Sequence, residues 1–374
     1  MDLNYLAIVS ACVWTIILLL PWRPWATSEA LDAPADPGGE DLSDITVLIP
    51  ARNEAGIIKT TLEGVKAQGE HIPVILVDDR STDGTALAAE SVDMKSLRII
   101  PGEPPPEGWS GKLWALEQGF RHVHTDLLLL LDADIRLSPG IIRALRRKLQ
   151  QGDLQLASLM AALRMDGFWE RAFMPAFIYF FKMLYPFRLS NSTFPWVAAA
   201  AGGCILLKTH ALPASGGFRG VRHELIDDCA LAGQIKSSGG RTWIGLSHSV
   251  QSLRPYEHLR SIWNMVARTA FHQLRYSLPL LLLCTVMMIA VFGFPIAGMF
   301  FPSILSRVIC GVALAAMVLS YLPTLRFYHR SAGWALLLPV IAMGYLAMTW
   351  TSAIRFWQGK GSTWKGRSYG SIRA

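Results

Sequence analysis

The chain has 374 residues, of which 52% are hydrophobic and only 17% are charged, and its formal net charge is +7. This composition excludes an ordinary soluble enzyme and predicts membrane segments beside a folded domain. The basic residues form no long block, so they favour an anionic lipid surface over nucleic acid as a partner. The five cysteines are odd in number and form no Cys-x-x-Cys pair. They argue against a disulfide framework or a zinc site and indicate a reducing compartment.

The first apolar run extends from Leu3 to Trp22 and has about the 20 residues that a membrane span needs. No Lys or Arg precedes the run and no small-residue cleavage site clearly follows it. We therefore predict a transmembrane anchor over residues 1–25 rather than a cleaved signal peptide. Arg23 places the following chain in the cytoplasm by the positive-inside rule. Residues 26–44 are rich in Ala, Pro, Gly, Asp and Glu and predict a flexible acidic linker.

Strand-like and helical segments then alternate, which predicts a parallel α/β sheet. The predicted strands are 45–49, 74–77, 97–100, 127–131 and 154–163. The fourth of them consists of five consecutive leucines, which cannot alternate between a core face and a solvent face. It therefore predicts a strand buried on both faces, as found inside parallel sheets.

Acidic side chains follow three of these strands where each strand ends. Glu54 follows the first, Asp78 and Asp79 follow the second, and Asp132 and Asp134 follow the fourth. Residues two apart on an extended chain point to the same side, and open α/β sheets bind ligands at this edge. Paired carboxylates there suit Mg²⁺ or Mn²⁺ with phosphate oxygens. A helix cap or acidic turn would explain one strand end, whereas three together favour a nucleotide-diphosphate site.

Four motifs carry a family resemblance by their order and spacing: VLIPARNE, LVDDRSTDGT, GKLWALEQG and LLLDADI. As a set they resemble the family 2 glycosyltransferases of the GT-A fold, over about residues 45–275. WSGKLWALEQGF, AAGGCILL, LIDDCALA and ARTAFHQLRYS are similar to the hopene-associated glycosyltransferases of bacterial hopanoid gene clusters. The resemblance implies an α/β fold. A GT-A domain with a Rossmann-like mixed or parallel sheet would occupy residues 45–278, with an N-terminal transmembrane helix and C-terminal transmembrane or interfacial helices.

The resemblance also implies a nucleotide-sugar site at the strand ends and in the loops beyond them. Its residues would be Pro50, Ala51, Arg52, Glu54, Asp78, Asp79, Lys112, Asp132, Ala133, Asp134, Gly203, Cys204 and Arg268. Asp78 and Asp79 would include the carboxylate that recognises uracil, and Lys112 would help to hold the nucleotide. Asp132 and Asp134 would form the metal motif, with Asp134 as the direct ligand.

The catalytic base would come from Asp227-Asp228, and we assign it to Asp228, while Gly202-Gly203-Cys204 would shape the sugar and acceptor pocket. Transfer needs a base beside the acceptor hydroxyl, and one acid can raise the pKa of its neighbour. Alternatively, the pair stabilises a helix N-terminus, because Cys229 to Lys236 predicts a helix that Gly239-Gly240 ends. The family reaction inverts at the anomeric carbon in one displacement, and no pattern here indicates a covalent nucleophile.

One motif departs from the processive members of the family. They carry Gln-x-x-Arg-Trp some forty residues beyond the acidic pair, where this chain has Met265-Val-Ala-Arg268-Thr269. Arg268 is either a contact to the diphosphate or a surface arginine at the membrane interface. The missing Gln and Trp argue against a polymer-extruding synthase.

Aromatic residues crowd the segment 168–189, which predicts an interfacial helix at the lipid-facing mouth of the acceptor site or, alternatively, an ordinary buried helix. Apolar runs at 279–301, 304–325 and 333–354 predict membrane helices over 279–354, followed by a basic tail at 355–374. Three spans after a cytoplasmic domain would put this tail outside, against the positive-inside rule. Either one run is re-entrant or interfacial, or the tail breaks the rule.

These observations predict a multi-pass protein of the bacterial inner membrane whose catalytic domain faces the cytoplasm. The predicted activity is a metal-dependent, inverting hexosyltransferase that uses Mg²⁺ or Mn²⁺. It would move a sugar from a UDP-sugar to a lipid acceptor, either a hopanoid or another polyprenoid lipid, and it would bind no nucleic acid. The alternatives are a processive polysaccharide synthase and a catalytically silent membrane scaffold. The scaffold is disfavoured because every position at which the reaction requires a carboxylate carries Asp or Glu.

Overall fold

The computed structural model of the protein describes residues 3–36, 38–360, 363–364 and 367–368. The chain forms two compact units. The first, here called the sheet unit, comprises Glu29–Arg164 and Phe187–Pro255. The second, here called the helical unit, comprises Met1–Ser28, Met165–Pro186 and Tyr256–Ala374. We describe each unit by itself.

The sheet unit is built on eight strands, and an isolated antiparallel pair lies near the C-terminus. The strands are β1 (Ile45–Ala51), β2 (Val74–Asp78), β3 (Leu97–Pro101), β4 (Leu127–Leu131), β5 (Ile135–Leu137), β6 (Leu156–Ala162), β7 (Cys204–Lys208), β8 (Thr242–Ser252), β9 (Thr363–Trp364) and β10 (Arg367–Ser368). The eight-stranded sheet has the order β3-β2-β1-β4-β7-β6-β8-β5. Its first four strands are parallel, as the alternating pattern predicted, whereas β7 runs antiparallel to both of its neighbours. The sheet is therefore mixed.

Helices cover both faces of this sheet and make up most of the helical unit. In chain order they are α1 (Leu3–Leu19), α2 (Ile58–Lys66), α3 (Thr85–Glu90), α4 (Gly111–Phe120), α5 (Ile141–Gln151), α6 (Phe168–Leu184), α7 (Phe187–Ser190), α8 (Ala211–Ala214), α9 (Gly217–Gly220), α10 (Asp227–Ser237), α11 (Leu259–Ala267), α12 (Ala270–Gln273), α13 (Leu278–Met288), α14 (Phe294–Gly298), α15 (Ile304–Phe327) and α16 (Leu338–Trp357). A π-helical turn at Ile289–Gly293 joins α13 to α14, and a 3₁₀ turn at Ala332–Leu337 precedes α16.

The leucine run of β4 is buried on both faces, as its sequence predicted. Leu127, Leu129 and Leu131 belong to one hydrophobic core, whereas Leu128 and Leu130 belong to the core on the opposite face. Full burial of a leucine contributes about 1.5–3 kcal/mol, so this strand stabilises both layers at once. It also holds the acids that follow it at a fixed place on the sheet edge.

The acidic segment 26–44 is not the flexible linker that its composition predicted. The Leu31 N–H donates to the carbonyl of Leu246 and the Leu246 N–H donates to the carbonyl of Glu29, so the segment adds backbone pairing to β8. Further along, Glu40 pairs with arginines of α5, and Arg146 lies 3.0 Å from a carboxylate oxygen of Asp44. Composition alone missed these partners because all of them lie about a hundred or more residues away in the sequence.

Among the described residues of the helical unit, three helical segments are long and apolar enough to cross a membrane. They are Leu278–Gly298, Ile304–Phe327 and Ala332–Trp357, close to the predicted runs. The predicted N-terminal anchor differs, because α1 has only 17 residues and is a short apolar helix. The first long segment is irregular, because the π-helical turn at Ile289–Gly293 interrupts it. The carbonyl of Val291 in the π-helical turn accepts hydrogen bonds from the Trp14 indole and the Ser10 hydroxyl of α1.

The aromatic helix α6 is largely buried within the helical unit. Tyr179 and Lys182 are almost completely inaccessible, and Phe177 and Phe180 are only partly exposed. The Tyr179 hydroxyl pairs with Ser320 at 2.8 Å. Phe168 and Leu184, at the two ends of α6, are exposed, and both alternatives for segment 168–189 stay predictions. The tail positions Lys365 and Arg373 lie outside the described residues.

Candidate active site at the carboxyl edge of the sheet

The loops that follow β1 and β2 are joined by hydrogen bonds at the carboxyl edge of the sheet. The Asp79 N–H donates to the carbonyl of Ala51 at 2.7 Å, and the Arg52 guanidinium donates to the carbonyl of Asp79 at 2.6 Å. Asn53 has a φ of 52° and accepts a hydrogen bond from the Thr82 N–H. The Asn side chain suits this left-handed conformation because it tolerates positive φ and bonds locally. Two of the predicted acidic strand ends therefore meet.

Lys112, the second residue of α4, lies between carboxylates from two other elements. Its Nζ lies 2.8 Å from Oδ1 of Asp132, beyond β4, and 3.6 Å from Oδ2 of Asp227, at the start of α10. Ser110 caps α4 by accepting a hydrogen bond from the Leu113 N–H, which fixes the helix turn that carries the lysine. The predicted nucleotide lysine and the predicted acidic pair are thus brought into one cluster.

Asp228 is held by backbone donors beside this lysine. Its Oδ2 accepts a hydrogen bond from the Gly202 N–H at 2.7 Å, and its Oδ1 accepts one from the Cys229 N–H at 2.8 Å. Gly202 approaches closely, since a Cβ there would lie 3.2 Å from the Lys112 Nζ and 3.3 Å from the Asp228 Oδ2. A glycine at this position therefore lets the backbone meet both side chains.

Burial and mutual repulsion raise the pKa of the acids in this cluster. Burial, followed by the charge of Asp227, raises the pKa of Asp228 to about 6, although Lys112 and the two N–H donors oppose the rise. Burial also raises the pKa of Asp132 despite its contact with Lys112. Burial lowers the pKa of Lys112, but the carboxylates of Asp132 and Asp227 outweigh burial and raise it overall. Asp228 therefore titrates in the range expected of a general base.

Arg254, which the sequence analysis did not single out, joins the acids beyond β1 and β4. Its Nε lies 2.6 Å from Oδ2 of Asp134, and its Nη2 lies 3.0 Å from Oε1 of Glu54. Glu54 and Asp134 are both nearly buried. Sequence reasoning missed this arginine because its partners are 120 and 200 residues away and no motif marks its position.

The acid cluster, which comprises Glu54, Asp132, Asp134, Asp227 and Asp228, contains more carboxylates than cations. Lys112 and Arg254 supply the cationic partners of these five acids in the part of the chain that the structure describes. Within the described residues no three His, Cys, Asp or Glu side chains could together hold a metal ion. Two carboxylates plus substrate phosphates are the usual Mg²⁺ arrangement, so Asp132 and Asp134 fit a divalent ion bound together with a diphosphate.

A cleft of about 330 Å³ opens onto this cluster within the sheet unit. Its polar wall is formed by Lys112, Asp132, Gly202, Asp227 and Asp228, and the apolar side chains of the rest are mostly leucines of α4, β4 and α10.

The remaining predicted residues divide into four groups. Pro50 lines the cleft. Ala51, Ala133 and Cys204 pack into the hydrophobic core beneath the sheet edge, so they shape the site through their backbone. Asp78 accepts a hydrogen bond from the Ser81 N–H at the end of β2, and Gly203 precedes β7, where its carbonyl accepts from the Asp132 N–H. Arg268 is an exposed residue that follows α11 in the helical unit.

Comparison with solved structures confirms the fold class as GT-A. The chain is similar to a mannosyltransferase from Pyrobaculum calidifontis, solved in complex with GDP-Man and Mn²⁺. The similarity has a TM-score of 0.57 and 19% sequence identity, and it covers 94% of this chain and 98% of that one. Residues 46–215 match the family model Glycosyl transferase family 2. This part of the chain is therefore similar to the family 2 glycosyltransferases.

Curated relatives match part of this chain. The 4,4'-diaponeurosporenoate glycosyltransferase of Staphylococcus aureus (strain MRSA252) is 32% identical over 128 residues, which is 34% of this chain and 34% of that protein. The undecaprenyl-phosphate 4-deoxy-4-formamido-L-arabinose transferase of Shewanella sediminis is 28% identical over 117 residues, which is 30% and 35% of the two chains. The matched region spans only about a third of these relatives.

Proposed function

We propose that the protein is a membrane-bound, inverting hexosyltransferase that moves a sugar from a UDP-sugar to a lipid acceptor, either a hopanoid or another polyprenoid lipid. The observation that carries this proposal is the convergence of Lys112, Asp132 and Asp228 in one cleft of a domain that is similar to the family 2 glycosyltransferases. The names of two relatives add support, because one is a diaponeurosporenoate glycosyltransferase and the other an undecaprenyl-phosphate 4-deoxy-4-formamido-L-arabinose transferase.

In the proposed reaction Asp228 accepts the proton of the acceptor hydroxyl. The hydroxyl oxygen then bonds to the anomeric carbon as the bond from that carbon to the diphosphate oxygen breaks, so the configuration inverts. Hydrogen bonds from Gly202 and Cys229 fix the carboxylate of Asp228. Lys112 offers a positive charge to the leaving diphosphate. A divalent ion held by Asp132 and Asp134 would neutralise further charge on that leaving group.

The loop between α7 and β7 supports an apolar acceptor. Trp196 is 85% exposed and Phe194 is 44% exposed, and the same loop leads to Gly202 beside Asp228. The loop is fixed at its base, because the Lys236 Nζ donates to the carbonyls of Ser190 and Val197. Exposed aromatic side chains are typical of surfaces that contact lipid headgroups.

Transfer can be tested with the full-length chain in lipid nanodiscs. We expect labelled sugar to pass from a UDP-sugar to a single lipid product. Mass spectrometry of a lipid extract from a deletion strain should show that this glycolipid is missing. Asp134→Ala and Asp228→Ala should abolish transfer, whereas Asp126→Ala, at the opposite end of β4, should keep it. Full activity in either site variant contradicts the assignment, and a polymeric product would establish a processive synthase instead.

The acceptor side can be tested separately. Trp196→Ser should reduce transfer to the lipid while leaving UDP affinity unchanged. Leu87→Ser is the matched control, because Leu87 is 73% exposed on α3 of the same unit. An equal loss in both variants contradicts a lipid contact by the loop. The accessibility of a C-terminal tag from each side of the membrane tests the proposed cytoplasmic orientation.

A further inference from the structure

Arg254 is held in place by backbone as well as by its side chain. β8 pairs with β5 in the register Ile135 to Ser252, and the Leu253 N–H donates to the carbonyl of Asp134 at 2.8 Å. This hydrogen bond places the backbone of the next residue, Arg254, close to Asp134. Its guanidinium forms two charge-assisted hydrogen bonds, one to Asp134 and one to Glu54.

The contact with Asp134 occupies a carboxylate oxygen of a residue proposed to hold the divalent ion. Asp134 is the residue proposed to ligate the ion directly, and its Oδ2 lies only 2.6 Å from the arginine Nε. Arginine stays charged at all accessible pH values, so its guanidinium repels a divalent cation at Asp134. The ion and the guanidinium therefore compete for one carboxylate.

A donor diphosphate removes this conflict. It adds negative charge at the same edge, and guanidinium groups bind phosphate oxygens through paired hydrogen bonds. The arginine side chain is 36% exposed, whereas its two partners are 8% and 12% exposed, so the guanidinium can move further than the acids can.

We propose that Arg254 is a positioning residue that exchanges partners during donor binding. Without donor it neutralises Asp134 and Glu54. When donor and divalent ion bind together, it releases Asp134 and pairs with the diphosphate. This inference rests on the proposed function and gives it an order: the ion binds weakly alone and tightly together with the diphosphate.

The test measures two affinities in the full-length protein. Binding of Mn²⁺ alone is followed by electron paramagnetic resonance, and binding of UDP at saturating Mn²⁺ is followed by calorimetry, with GDP and UMP alongside. In Arg254→Gln we expect Mn²⁺ alone to bind about tenfold tighter and UDP to bind about tenfold weaker, a coupling of ordinary size for linked sites. UMP affinity should change less, because UMP lacks the second phosphate.

The matched control is Arg136→Gln. Arg136 lies on β5 and its guanidinium donates to Gln251 of β8, so it belongs to the same strand pair without touching the acids. This variant should keep both affinities. Arg254→Lys, which keeps the charge and loses the paired geometry, should fall between Arg254→Gln and the wild type, and it preserves the test if the glutamine variant folds poorly.

A purely structural role for Arg254 predicts that both affinities fall together with thermal stability. That outcome, or unchanged affinities in a folded variant, overturns the exchange. A wild-type chain that binds neither Mn²⁺ nor any nucleotide diphosphate overturns the proposed function itself, and the exchange with it. If the wild type binds Mn²⁺ and UDP but the Arg254 variants do not shift the two affinities in opposite directions, only the proposed exchange of partners is overturned.

Discussion

The acid cluster of the sheet unit and two buried ionisable groups of the helical unit, Lys182 and Glu170, have different kinds of partner. In the helical unit, Lys182 donates to two backbone carbonyls and the Thr324 hydroxyl, and Glu170 accepts from backbone N–H groups. These ionisable groups have neutral partners that saturate them. In the sheet unit, five carboxylates meet two cations, and the pKa of Asp228 is raised. A buried polar group whose hydrogen bonds are all made typically has a structural role. An excess of negative charge at one edge of a sheet instead indicates a bound ligand or ion that balances the charge.

The largest expected effect comes from removing the proposed base without changing its shape. Asp228→Asn keeps an oxygen that can accept a hydrogen bond from Gly202 or Cys229, but it cannot take the acceptor proton. We expect kcat to fall by about 10²–10⁴-fold, the usual contribution of a general base. Transfer assays with wild type and variant measure the loss. Unchanged kcat would assign Asp228 to the alternative role of stabilising the start of α10.

The raised pKa of Asp228 gives a second prediction. A base acts when deprotonated, so kcat should rise about tenfold per pH unit below pH 6 and level off above it. In Asp228→Asn this rise should disappear, because asparagine does not titrate. Rates measured between pH 5 and pH 8, with folding monitored in parallel, decide the matter. A variant that keeps the wild-type rise would place the titrating group elsewhere.

The contrast between the two units also explains which features the sequence could predict. The leucines of β4 and the acids beyond them were predictable, because burial on both faces and a strand end are local properties of the chain. Lys112 and Asp228 were recognised only through a resemblance to a family. Their contact through Gly202 depends on β7 and α10 coming to β4, which no local pattern specifies.

Arg254 and the acidic segment 26–44 show why the rest was missed. Arg254 is one arginine among many in a basic chain, and only the pairing of β8 with β5 brings it to Asp134. The acidic segment has the composition of a linker, yet Leu31 pairs with Leu246 and Glu40 with arginines of α5. Long-range pairing decided both outcomes, and composition does not encode it.

The close approach at Gly202 allows a smaller perturbation of the site. In Gly202→Ala the new Cβ would lie 3.2–3.3 Å from Lys112 and Asp228, so both side chains must shift by a few tenths of an ångström. Small displacements of reacting groups are costly, and we expect kcat to fall by about tenfold. Gly233→Ala in α10 is the control, because a Cβ there meets nothing within 4 Å. Equal rates in the two variants would show that the approach does not matter for transfer.

The smallest expected effect on the site comes from the helical unit. Lys182→Met keeps the length of the side chain but removes the donor to the carbonyls of Trp25 and Ala26 and to the Thr324 hydroxyl. Buried acceptors without partners cost about 1–3 kcal/mol, and loss of a buried charge offsets part of this cost. We therefore expect a lower melting temperature with unchanged UDP affinity.

Thermal unfolding and calorimetry of the Lys182→Met chain in nanodiscs measure both quantities. Lys59→Met, at an exposed position of α2, should change neither and serves as the control. If Lys182→Met instead weakened UDP binding at an unchanged melting temperature, a saturated lysine would carry function, and saturation of hydrogen bonds would no longer separate structural from functional groups in this chain. If only stability falls, the unbalanced charge of the sheet unit remains the feature that distinguishes the site.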